Sequence, residues 1–269
     1  MADPTPDQTP AGWSPFAASY DDWLAPITRR FADDVVRLLE LGAGSRVLDV
    51  AAGSGVFALA AAEAGAEVLA TDFAPGMVDL LRQKTESAAL SIDVEEMDGQ
   101  ALAVPDASFD AAASLFGLIF FPDTAAGAAE LHRVVRVGGR VAVVAWSPDG
   151  LAIHPIALEA FSLIGVEQPQ RSTLPSAFRL SDPARLGSLL VSAGFTEVEV
   201  QEAEHAIPIP DPAALFRSIP SWSAPLRPLF DRLPPERLRD AEAAFIDLVV
   251  ERSGTDGLAM RALIATGTR

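Results

Sequence analysis

One segment, residues 46–55 (RVLDVAAGSG), constrains the fold of this chain more than any other stretch. Its apolar run VLDV is typical of a short strand buried on both faces of a parallel sheet. Asp49 interrupts that run, and a buried carboxylate needs hydrogen-bond donors. Gly53 and Gly55 follow, and the alanine-rich residues 56–64 favour a helix. A strand, a glycine turn and a helix in this order predict the first half of a nucleotide-binding βαβ unit, in which glycine lets a ligand approach the backbone.

Strands and helices then alternate through the next 90 or so residues. We predict strands at 67–71, 91–95, 109–115 and 140–146, with helices at 75–84 and 124–135 and a glycine turn at Gly138-Gly139 before the last of these strands. This alternation indicates a parallel sheet with helices on both faces. Ligands of such sheets bind outside the carboxyl ends of the strands, where Asp49, Asp72, Asp98 and Phe116 fall.

The regular alternation of strands and helices is absent at the two ends of the chain. Residues 13–40 predict two helices, and the aromatic stripe on the first indicates either simple packing or a lid over a ligand. After residue 148 we expect helices at 152–163, 182–193, 211–218 and 236–252, strands at 195–204 and 257–267, and a loop at 167–176. We therefore divide the chain into N-terminal helices or lid (1–44), a cofactor-binding core (45–149) and the rest of the sheet with substrate-cap insertions (150–269, insertions at about 150–180 and 206–255), all in one structural domain.

Composition narrows the function classes. The formal net charge of −17 argues against nucleic acid or an anionic membrane as the main partner. The absence of cysteine excludes disulfides and thiolate zinc sites, and no His/Asp spacing predicts a metal site. No apolar run is long enough to cross a bilayer, and the acidic, proline-rich start lacks the pattern of a signal peptide. We expect a cytoplasmic protein, monomeric or homodimeric, that acts on a small molecule without inserting into a membrane.

Two cofactor classes compete for the glycine turn. Residues 53–58 match the relaxed G-x-G-x-x-A pattern of NAD-binding folds, which alone is a weak signal. Asp49, four residues earlier, would face a pyrophosphate that is itself negative, and Asp98 adds a second acid on the same edge. A cationic cofactor with an amino group and a sulfonium fits these acids better, and an aromatic face such as Phe116 adds cation–π contact.

The ordered motifs VLDVAAGSG, ATD at 70–72, MDGQ at 97–100, FGLIFFPD at 116–123 and ELHRVVRVGGRVAVVAW at 130–146 resemble those of class I S-adenosylmethionine-dependent methyltransferases. They are most similar to the branch of the ubiquinone/menaquinone-biosynthesis enzymes and related small-molecule methyltransferases, over about residues 45–147. Ala51 departs from the family, which often has glycine there, and we expect no loss of binding. The resemblance implies a Rossmann-like, doubly wound α/β fold: a seven-stranded sheet, mostly parallel with an antiparallel last strand, plus a helical cap.

The resemblance also implies roles for individual residues, with S-adenosylmethionine as the cofactor and S-adenosylhomocysteine as its product. It assigns the amino group of the cofactor to Asp49 and its ribose hydroxyls to Asp72. The remaining implied positions are the backbone approach at Ala51, Gly53 and Gly55; adenine contacts from Phe73, Met77 and Asp98, with Gly99 and Gln100 beside them; and Phe116 and Gly117 where methyl donor and acceptor meet. Tyr20 either closes over the methionine end of the cofactor or packs in the core.

Methyl transfer needs a base only for some acceptors, because the donor is already activated. His154, on the segment leaving the fifth strand, is the first candidate for a base or acceptor ligand; Pro155 would hold it in an extended backbone, and its pKa would lie near neutral. The alternative is a helix-start residue in water. His205, at the end of the sixth strand, is the second candidate. The leading hypothesis is methyl transfer to a small, largely apolar acceptor; an NAD(P)-dependent oxidoreductase and a non-catalytic binder of S-adenosylmethionine are the alternatives.

Overall fold

A computed structural model describes residues 6–88, 90–167, 178–223 and 226–269. Seven strands in these residues form one mixed sheet. The strands are β1 (Arg46–Val50), β2 (Glu67–Asp72), β3 (Ile92–Glu96), β4 (Phe109–Leu115), β5 (Val135–Trp146), β6 (Thr196–Ile207) and β7 (Leu258–Thr268). Their spatial order is β3-β2-β1-β4-β5-β7-β6, and β7 is antiparallel to both of its neighbours while the other pairs are parallel. The predicted fold class is confirmed.

Eleven helices can be assigned in the described residues. They are α1 (Pro10–Trp13), α2 (Ala17–Trp23), α3 (Ala25–Leu38), α4 (Val56–Glu63), α5 (Pro75–Ala88), α6 (Thr124–Val134), α7 (Ile153–Leu163), α8 (Pro183–Ala193), α9 (Pro212–Trp222), α10 (Arg227–Asp231) and α11 (Pro235–Arg252). Short 3₁₀ helices occur at Pro6–Gln8, Ser14–Phe16 and Leu118–Phe120. None of these helices combines the length and apolarity needed to cross a membrane.

Aspartates determine where several of the helices begin. Asp123, Asp182 and Asp211 precede α6, α8 and α9, and each carboxylate accepts hydrogen bonds from N–H groups of the first turn. These bonds satisfy donors that a helix start leaves without partners. Gly194, with a φ of +107°, ends α8 in the left-handed conformation predicted for it.

The centre of the sheet is where strand order reverses, between β1 and β4. Chain connections leave these neighbours in opposite directions, so their carboxyl ends frame a crevice, as in other doubly wound sheets. Ala111, Ala112 and Ala113 of β4 pair with β1 and are fully or almost fully buried. The fold therefore places the crevice beside Asp49 and Phe116, as the strand assignments predicted.

The segment between β5 and β7 supplies a second layer of helices with an aromatic core of its own. Phe161 of α7, Phe216 of α9 and Phe230 of α10 pack with ring centroids 5.0–5.8 Å apart, and Phe245 of α11 joins them 5.3 Å from Phe216. We call α7 together with α9, α10 and α11 the cap. Burying these rings against one another lets the cap pack as a unit beside the sheet.

The structure corrects three details of the sequence prediction. β5 begins at Val135, directly after α6, so Gly138-Gly139 does not turn the chain into the strand. Both glycines lie within β5, beside a register irregularity opposite Asp110. The short helix α10 was missed, and α9 continues to Trp222. The loop predicted at 167–176 lies, apart from its first residue, outside the described residues, and the three-part division of the chain remains a prediction.

Candidate active site

The two glycines of the turn after β1 have different surroundings. Both are in the left-handed region, Gly53 at a φ of +55° and Gly55 at +84°. A Cβ on Gly55 would lie 2.1 Å from Cδ1 of Leu81, a core residue of α5, whereas a Cβ on Gly53 would meet nothing within 4 Å. Gly55 therefore allows α4 to pack against α5, and Gly53 leaves open space next to its backbone.

Asp49 is buried in β1 and connects the strand to the helix that follows the turn. Its Oδ2 accepts a hydrogen bond from the N–H of Ala58, the third residue of α4, at 3.0 Å. Burial raises the pKa of Asp49 to about 8; the Ala58 N–H opposes that shift, and the charge of Asp72 adds to it. A cation placed beside this carboxyl would reverse the penalty, because it would favour the ionised form.

Asp72, the last residue of β2, ties two backbone segments together. Its Oδ2 accepts from the N–H of Gly53 at 2.8 Å, and its Oδ1 accepts from the N–H of Ala74 at 2.9 Å. Burial raises the pKa of Asp72 to about 6, against the effect of these N–H donors. The carboxylate thus holds the glycine turn against the start of α5, and each oxygen retains a further lone pair for a ligand.

A cavity of about 570 Å³, the first cavity, opens at the carboxyl ends of β1, β2, β3 and β4. Four acids line it, and no lysine, arginine or histidine does so within the described part of the chain. The acids are Asp49, Asp72, Glu96 and Asp98. The volume lies in the range of about 300–1,000 Å³ that is usual for small-molecule sites.

The structure brings almost all predicted cofactor residues together at this cavity. The predicted residues that line it are Tyr20, Asp49, Ala51, Gly53, Asp72, Phe73, Met77, Asp98, Gly99, Gln100, Phe116 and Gly117. Gly55 is the exception among the predicted set, because its space is taken by Leu81. Their contacts with a cofactor remain predictions.

Residues after β3 form a short braced loop. The exposed Asp98 accepts from the backbone N–H of Gln100 at 2.9 Å and from its side-chain Nε2 at 3.1 Å. Oε1 of Gln100 in turn accepts from the N–H of Asp123, the N-cap of α6. Gly99 between them has no room for a Cβ, which would lie 2.4 Å from the ring of Phe121. Gln100 therefore braces the loop, and Asp98 keeps an exposed carboxylate at the cavity.

The N-terminal aromatic stripe closes one side of the first cavity. We call residues 10–23 the lid. Trp13 makes edge contacts with Tyr20 at 6.0 Å and with Phe120, beyond β4, at 4.8 Å between ring centroids. Burial and the nearby charge of Asp72 raise the pKa of Tyr20 to about 12. The stripe thus both packs and walls the cavity, as the two alternatives for it allowed, and Phe120 is a wall residue that the sequence prediction missed.

Two polar contacts dock the lid on α5. The N–H of Gly76 donates to Oγ of Ser14 at 3.1 Å. Lys84, the single lysine of the chain, donates to Oδ1 of Asp21 at 2.6 Å and to the carbonyl of Ser54 in the glycine turn at 2.9 Å. The lid and the glycine turn therefore share one cationic partner.

Phe116 marks the place where the first cavity meets the cap side of the sheet. Its φ is +56°, and its ring stacks on Trp146, the last residue of β5, at 4.1 Å and 24°. Phe31 of α3 makes an edge contact with both rings. Gly117 follows, and a Cβ there would lie 2.5 Å from Cβ of Ala51. The ends of β1 and β4 approach so closely that only glycine fits at position 117.

A second, smaller cavity of about 70 Å³ lies beyond Phe116. Trp13, Tyr20, Phe116 and Phe120 line both cavities. The residues that line the second cavity alone include Phe16, Leu24, Trp146, Leu151, His154, Trp222 and Ser223. The lid, the sheet and the cap therefore all contribute to its wall.

His154 lines this second cavity at the start of a helix, as the alternative prediction held, and not with the extended backbone of the first prediction. It is the second residue of α7, so its backbone is helical rather than extended; Pro155 stands at the third position, where the N–H of a helix has no partner to lose. Its Nε2 lies 3.0 Å from Oγ of Ser223, and its ring stacks parallel to Trp222 at 5.7 Å. Burial lowers its pKa to about 4, so the imidazole is neutral near pH 7. The near-neutral pKa expected from the sequence was wrong.

His205 is engaged elsewhere. Its Nε2 lies 2.6 Å from Oδ2 of Asp34, and its ring packs edge-on to Phe31 at 4.9 Å, so it anchors α3 to β6. The antiparallel strand β7 separates β6 from β5 and moves this histidine away from the crevice. His205 is absent from the lining of both cavities described here, so its role as a second candidate base stays a prediction that these contacts do not support.

No cluster of histidine and carboxylate side chains in the described ranges has the arrangement of a metal site. Among the described residues, the buried side-chain polar atom that lacks a hydrogen-bond partner is Oγ of Ser54, in the glycine turn.

Comparison with known proteins identifies the family. A methyltransferase-domain family matches residues 48–143, which span the glycine turn, Asp72, Asp98 and Phe116. A demethylmenaquinone methyltransferase of Deinococcus radiodurans is 35% identical over 162 residues, which cover 56% of this chain and 67% of that protein. The chain belongs to the class I S-adenosylmethionine-dependent methyltransferases, in the ubiquinone/menaquinone-biosynthesis branch.

Two further similarities define the extent of the match. An uncharacterized protein of Mycobacterium tuberculosis is 42% identical over 135 residues, which cover 50% of this chain and 48% of that protein. This chain thus spans about half the length of the first curated relatives that it matches. The crystal structure of the YcgJ protein from Bacillus subtilis superposes with a TM-score of 0.57 at 18% identity, over 89% of this chain and 98% of that one, which shows the shared fold.

Proposed function

We propose that the protein binds S-adenosylmethionine in the first cavity and transfers its methyl group to a small, largely apolar organic acceptor. Family membership supports the reaction class, and the observation that carries the cofactor assignment is the charge of the cavity wall. Asp49, Asp72, Glu96 and Asp98 line it without a balancing lysine, arginine or histidine among the described residues. Such a wall attracts a ligand that carries an ammonium and a sulfonium.

The same wall is unsuited to a dinucleotide. A pyrophosphate prefers bare backbone N–H groups at a helix N-terminus. Here the N–H of Ala58 in the first turn of α4 already donates to Asp49, and the N–H of Gly53 donates to Asp72. A phosphate at this turn would lie beside two carboxylates, so the geometry favours S-adenosylmethionine over NAD(P).

Individual side chains have distinct tasks in this proposal. Gly53 leaves the space in which the ligand lies against the backbone. Asp72 accepts from the ribose hydroxyls and Asp49 holds the amino group. Phe73 and the buried Met77 pack beside the adenine, and Asp98 accepts from its amino group.

When bound, S-adenosylmethionine supplies an activated methyl group on a sulfonium. The protein then contributes alignment and exclusion of water, which suffice for an acceptor that is already nucleophilic. Phe116 and Trp146 separate the two cavities, and the lid covers both. The acceptor side is the second cavity and its cap, with walls of aromatic and aliphatic side chains.

Calorimetry with S-adenosylhomocysteine and NADH tests the cofactor assignment. We expect binding of the first and none of the second. Asp72→Ala removes charged hydrogen bonds worth about 1.5–3 kcal/mol each and should weaken binding about tenfold or more. Asp79→Ala, an exposed aspartate on α5 whose partner Arg82 lies 3.8 Å away, is the matched control and should leave the affinity unchanged.

An unchanged affinity in Asp72→Ala, or tighter binding of NADH, would refute this assignment. Transfer of a labelled methyl group to a library of acceptors separates an enzyme from a protein that only binds the cofactor. A protein that binds S-adenosylhomocysteine but labels no acceptor would support the binding role alone.

A further inference from the structure

The second cavity is walled mainly by aromatic rings; among the described residues its polar lining consists of Asp7 and Tyr20 on the lid side and a hydrogen-bonded pair on the cap side. Trp13, Trp146 and Trp222 come from the lid, the sheet and the cap, and Phe116 lies among them. The pair is Ser223, at the end of α9, and His154, at the start of α7, whose Oγ and Nε2 atoms are 3.0 Å apart. Flat aromatic walls with a small number of placed hydrogen-bonding groups are typical of small-molecule sites, and the cap-side pair is placed to bind an oxygen on a ring.

The burial of Ser223 makes this pair selective. Ser223 is 2% exposed, and the parallel ring of Trp222 covers the imidazole of His154. A polar group desolvated in this way loses free energy if its ligand offers no partner, so a site with such a group rejects analogues that lack the matching oxygen.

The pair is adjacent to the proposed site of methyl transfer. Trp13, Tyr20, Phe116 and Phe120 line both cavities, so a ring held in the second cavity reaches the wall of the first. The volume of about 70 Å³ suits one end of a molecule, with the remainder extending along the shared aromatic wall.

We propose that the Ser223 hydroxyl, positioned by Nε2 of His154, hydrogen-bonds an oxygen on an uncharged aromatic ring and so selects acceptors that carry a ring hydroxyl or carbonyl. The inference rests on the proposed function for the identity of the reaction, but not for the binding of the ring. His154 is a positioning residue in it: the imidazole orients the serine hydroxyl and takes no proton.

The surroundings of His154 argue against a base. A base would become an imidazolium, and neither the ring that stacks on His154, Trp222, nor its hydrogen-bond partner, Ser223, carries a charge; Asp7 lines the same cavity, but the lowered pKa of His154 has burial as its cause. A buried cation without an anionic partner is costly, which is the reason for its lowered pKa.

Binding of 4-methylphenol and toluene tests the proposal, because the two molecules have the same shape apart from one hydroxyl. Ligand-observed NMR titrations on the full chain, with and without S-adenosylhomocysteine, give both dissociation constants. We expect the wild type to bind 4-methylphenol about tenfold more tightly than toluene, the effect of one buried hydrogen bond. Ser223→Ala and His154→Phe should reduce this ratio to about twofold or less.

Two further variants separate positioning from general damage. Ser221→Ala is the matched control, since Ser221 donates to the carbonyl of Ser218 and lies outside the cavity lining; the ratio should stay at the wild-type value. His154→Gln places a side-chain amide where the imidazole was, and this amide can still hydrogen-bond Ser223. The variant should therefore keep part of the preference for 4-methylphenol over toluene.

Each remaining outcome is decisive. Equal binding of the two compounds by the wild type, binding of neither, or equal losses in Ser221→Ala and Ser223→Ala would overturn the proposal. If S-adenosylhomocysteine binds normally in those cases, the proposed function survives without this subsite. If it fails to bind while Ser223→Ala still abolishes discrimination, the subsite stands and the cofactor assignment fails.

Discussion

The two cavities meet at Phe116, but they are built in different ways. The wall of the first consists of strand ends, backbone N–H groups and carboxylates that those N–H groups hold, as in the bond from Gly53 to Asp72. The wall of the second consists of large side chains from three parts of the chain, such as Trp13, Trp146 and Trp222. One site depends on backbone geometry and the other on side-chain packing.

This difference separates what the family shares from what this chain adds. The family match, residues 48–143, contains the glycine turn and the ends of β1 to β4, and it stops before Trp146 and the cap. Backbone geometry requires a few small or acidic residues at fixed positions, whereas an aromatic wall can be rebuilt with many side chains. We therefore expect changes in the first cavity to affect cofactor affinity and changes in the second to affect acceptor choice.

We expect the largest effects from substitutions in the glycine turn, where Gly55→Ala and Gly53→Ala should change different properties of the protein. Gly55→Ala should destabilise the protein by about 2–5 kcal/mol, since a left-handed alanine costs about 1–2 kcal/mol and overpacking against Leu81 adds about 1–3. Gly53→Ala should cost only the strain of a left-handed alanine, about 1–2 kcal/mol. It should nevertheless weaken the binding of S-adenosylhomocysteine about tenfold or more, because the methyl group of the new alanine enters the space proposed for the ligand. Urea denaturation and calorimetry measure the two quantities.

Gly138→Ala supplies the reference for strain alone. Gly138 has a φ of +76°, and its Cβ would meet nothing within 4 Å, as at Gly53, but it does not line the first cavity. Its stability loss should match that of Gly53→Ala with unchanged affinity. If all three variants bind S-adenosylhomocysteine equally well, the ligand does not approach the backbone at Gly53.

A smaller effect concerns the buried carboxyl of Asp49. Its pKa rises from 3.8 to about 8 on folding, so the folded state binds this proton more tightly than the unfolded state. The resulting stability is fully present below pH 4 and is lost as the pH rises through 8, by up to about 1.4 kcal/mol per pH unit. Asp49→Asn removes this loss, so the variant should gain melting temperature over the ligand-free wild type between pH 5 and pH 8.5, while binding S-adenosylhomocysteine more weakly.

Asp110→Asn is a control of opposite sign. The N–H of Arg46 and then the guanidinium of Arg136 lower the pKa of Asp110, so its contribution is present at neutral pH and lost as the pH falls through the folded pKa. That variant should be less stable than the wild type at pH 7 and approach it in acid. A pH-independent difference for Asp49→Asn would mean that the carboxyl is ionised in the ligand-free fold.

The sequence predicted the first cavity far better than the second, for the same structural reason. Asp72 and Phe116 could be assigned because each follows a recognisable strand, and strand ends in a parallel sheet converge on one edge. The contact of His154 with Ser223 joins residues 69 positions apart through the packing of two cap helices, and no local pattern specifies that packing. The pKa of His154 depends on the same burial and was mispredicted with it.

The glycine turn shows a finer limit. The pattern G-x-G treats Gly53 and Gly55 alike, but the position of Leu81, on a helix that starts 20 residues later, gives one of them a packing role. Likewise, the segment around Gly138 has the composition of a turn, yet pairing with β4 draws it into β5. Local composition gave the kind of element in most places, and tertiary contacts decided the individual roles.

The smallest expected effect tests the departure from the family at Ala51. Ala51 has a φ of +56°, a conformation that costs a non-glycine residue about 1–2 kcal/mol. Ala51→Gly relieves that strain but gives the unfolded chain more freedom, worth about 0.4–1 kcal/mol, so the net gain should lie between about 0 and 1.6 kcal/mol. Ala107→Gly, at a φ of +52° in the exposed turn before β4 and away from the cavity lining, is the matched control. The gain should be smaller at Ala51, because its methyl group packs where β1 and β4 approach, against Gly117.

Affinity for S-adenosylhomocysteine should stay within about twofold in both variants, since neither change removes a hydrogen bond to the ligand. A tenfold gain or loss in Ala51→Gly alone would show that the alanine methyl group is itself part of the cofactor wall, and that side chains, as well as backbone, shape the first cavity.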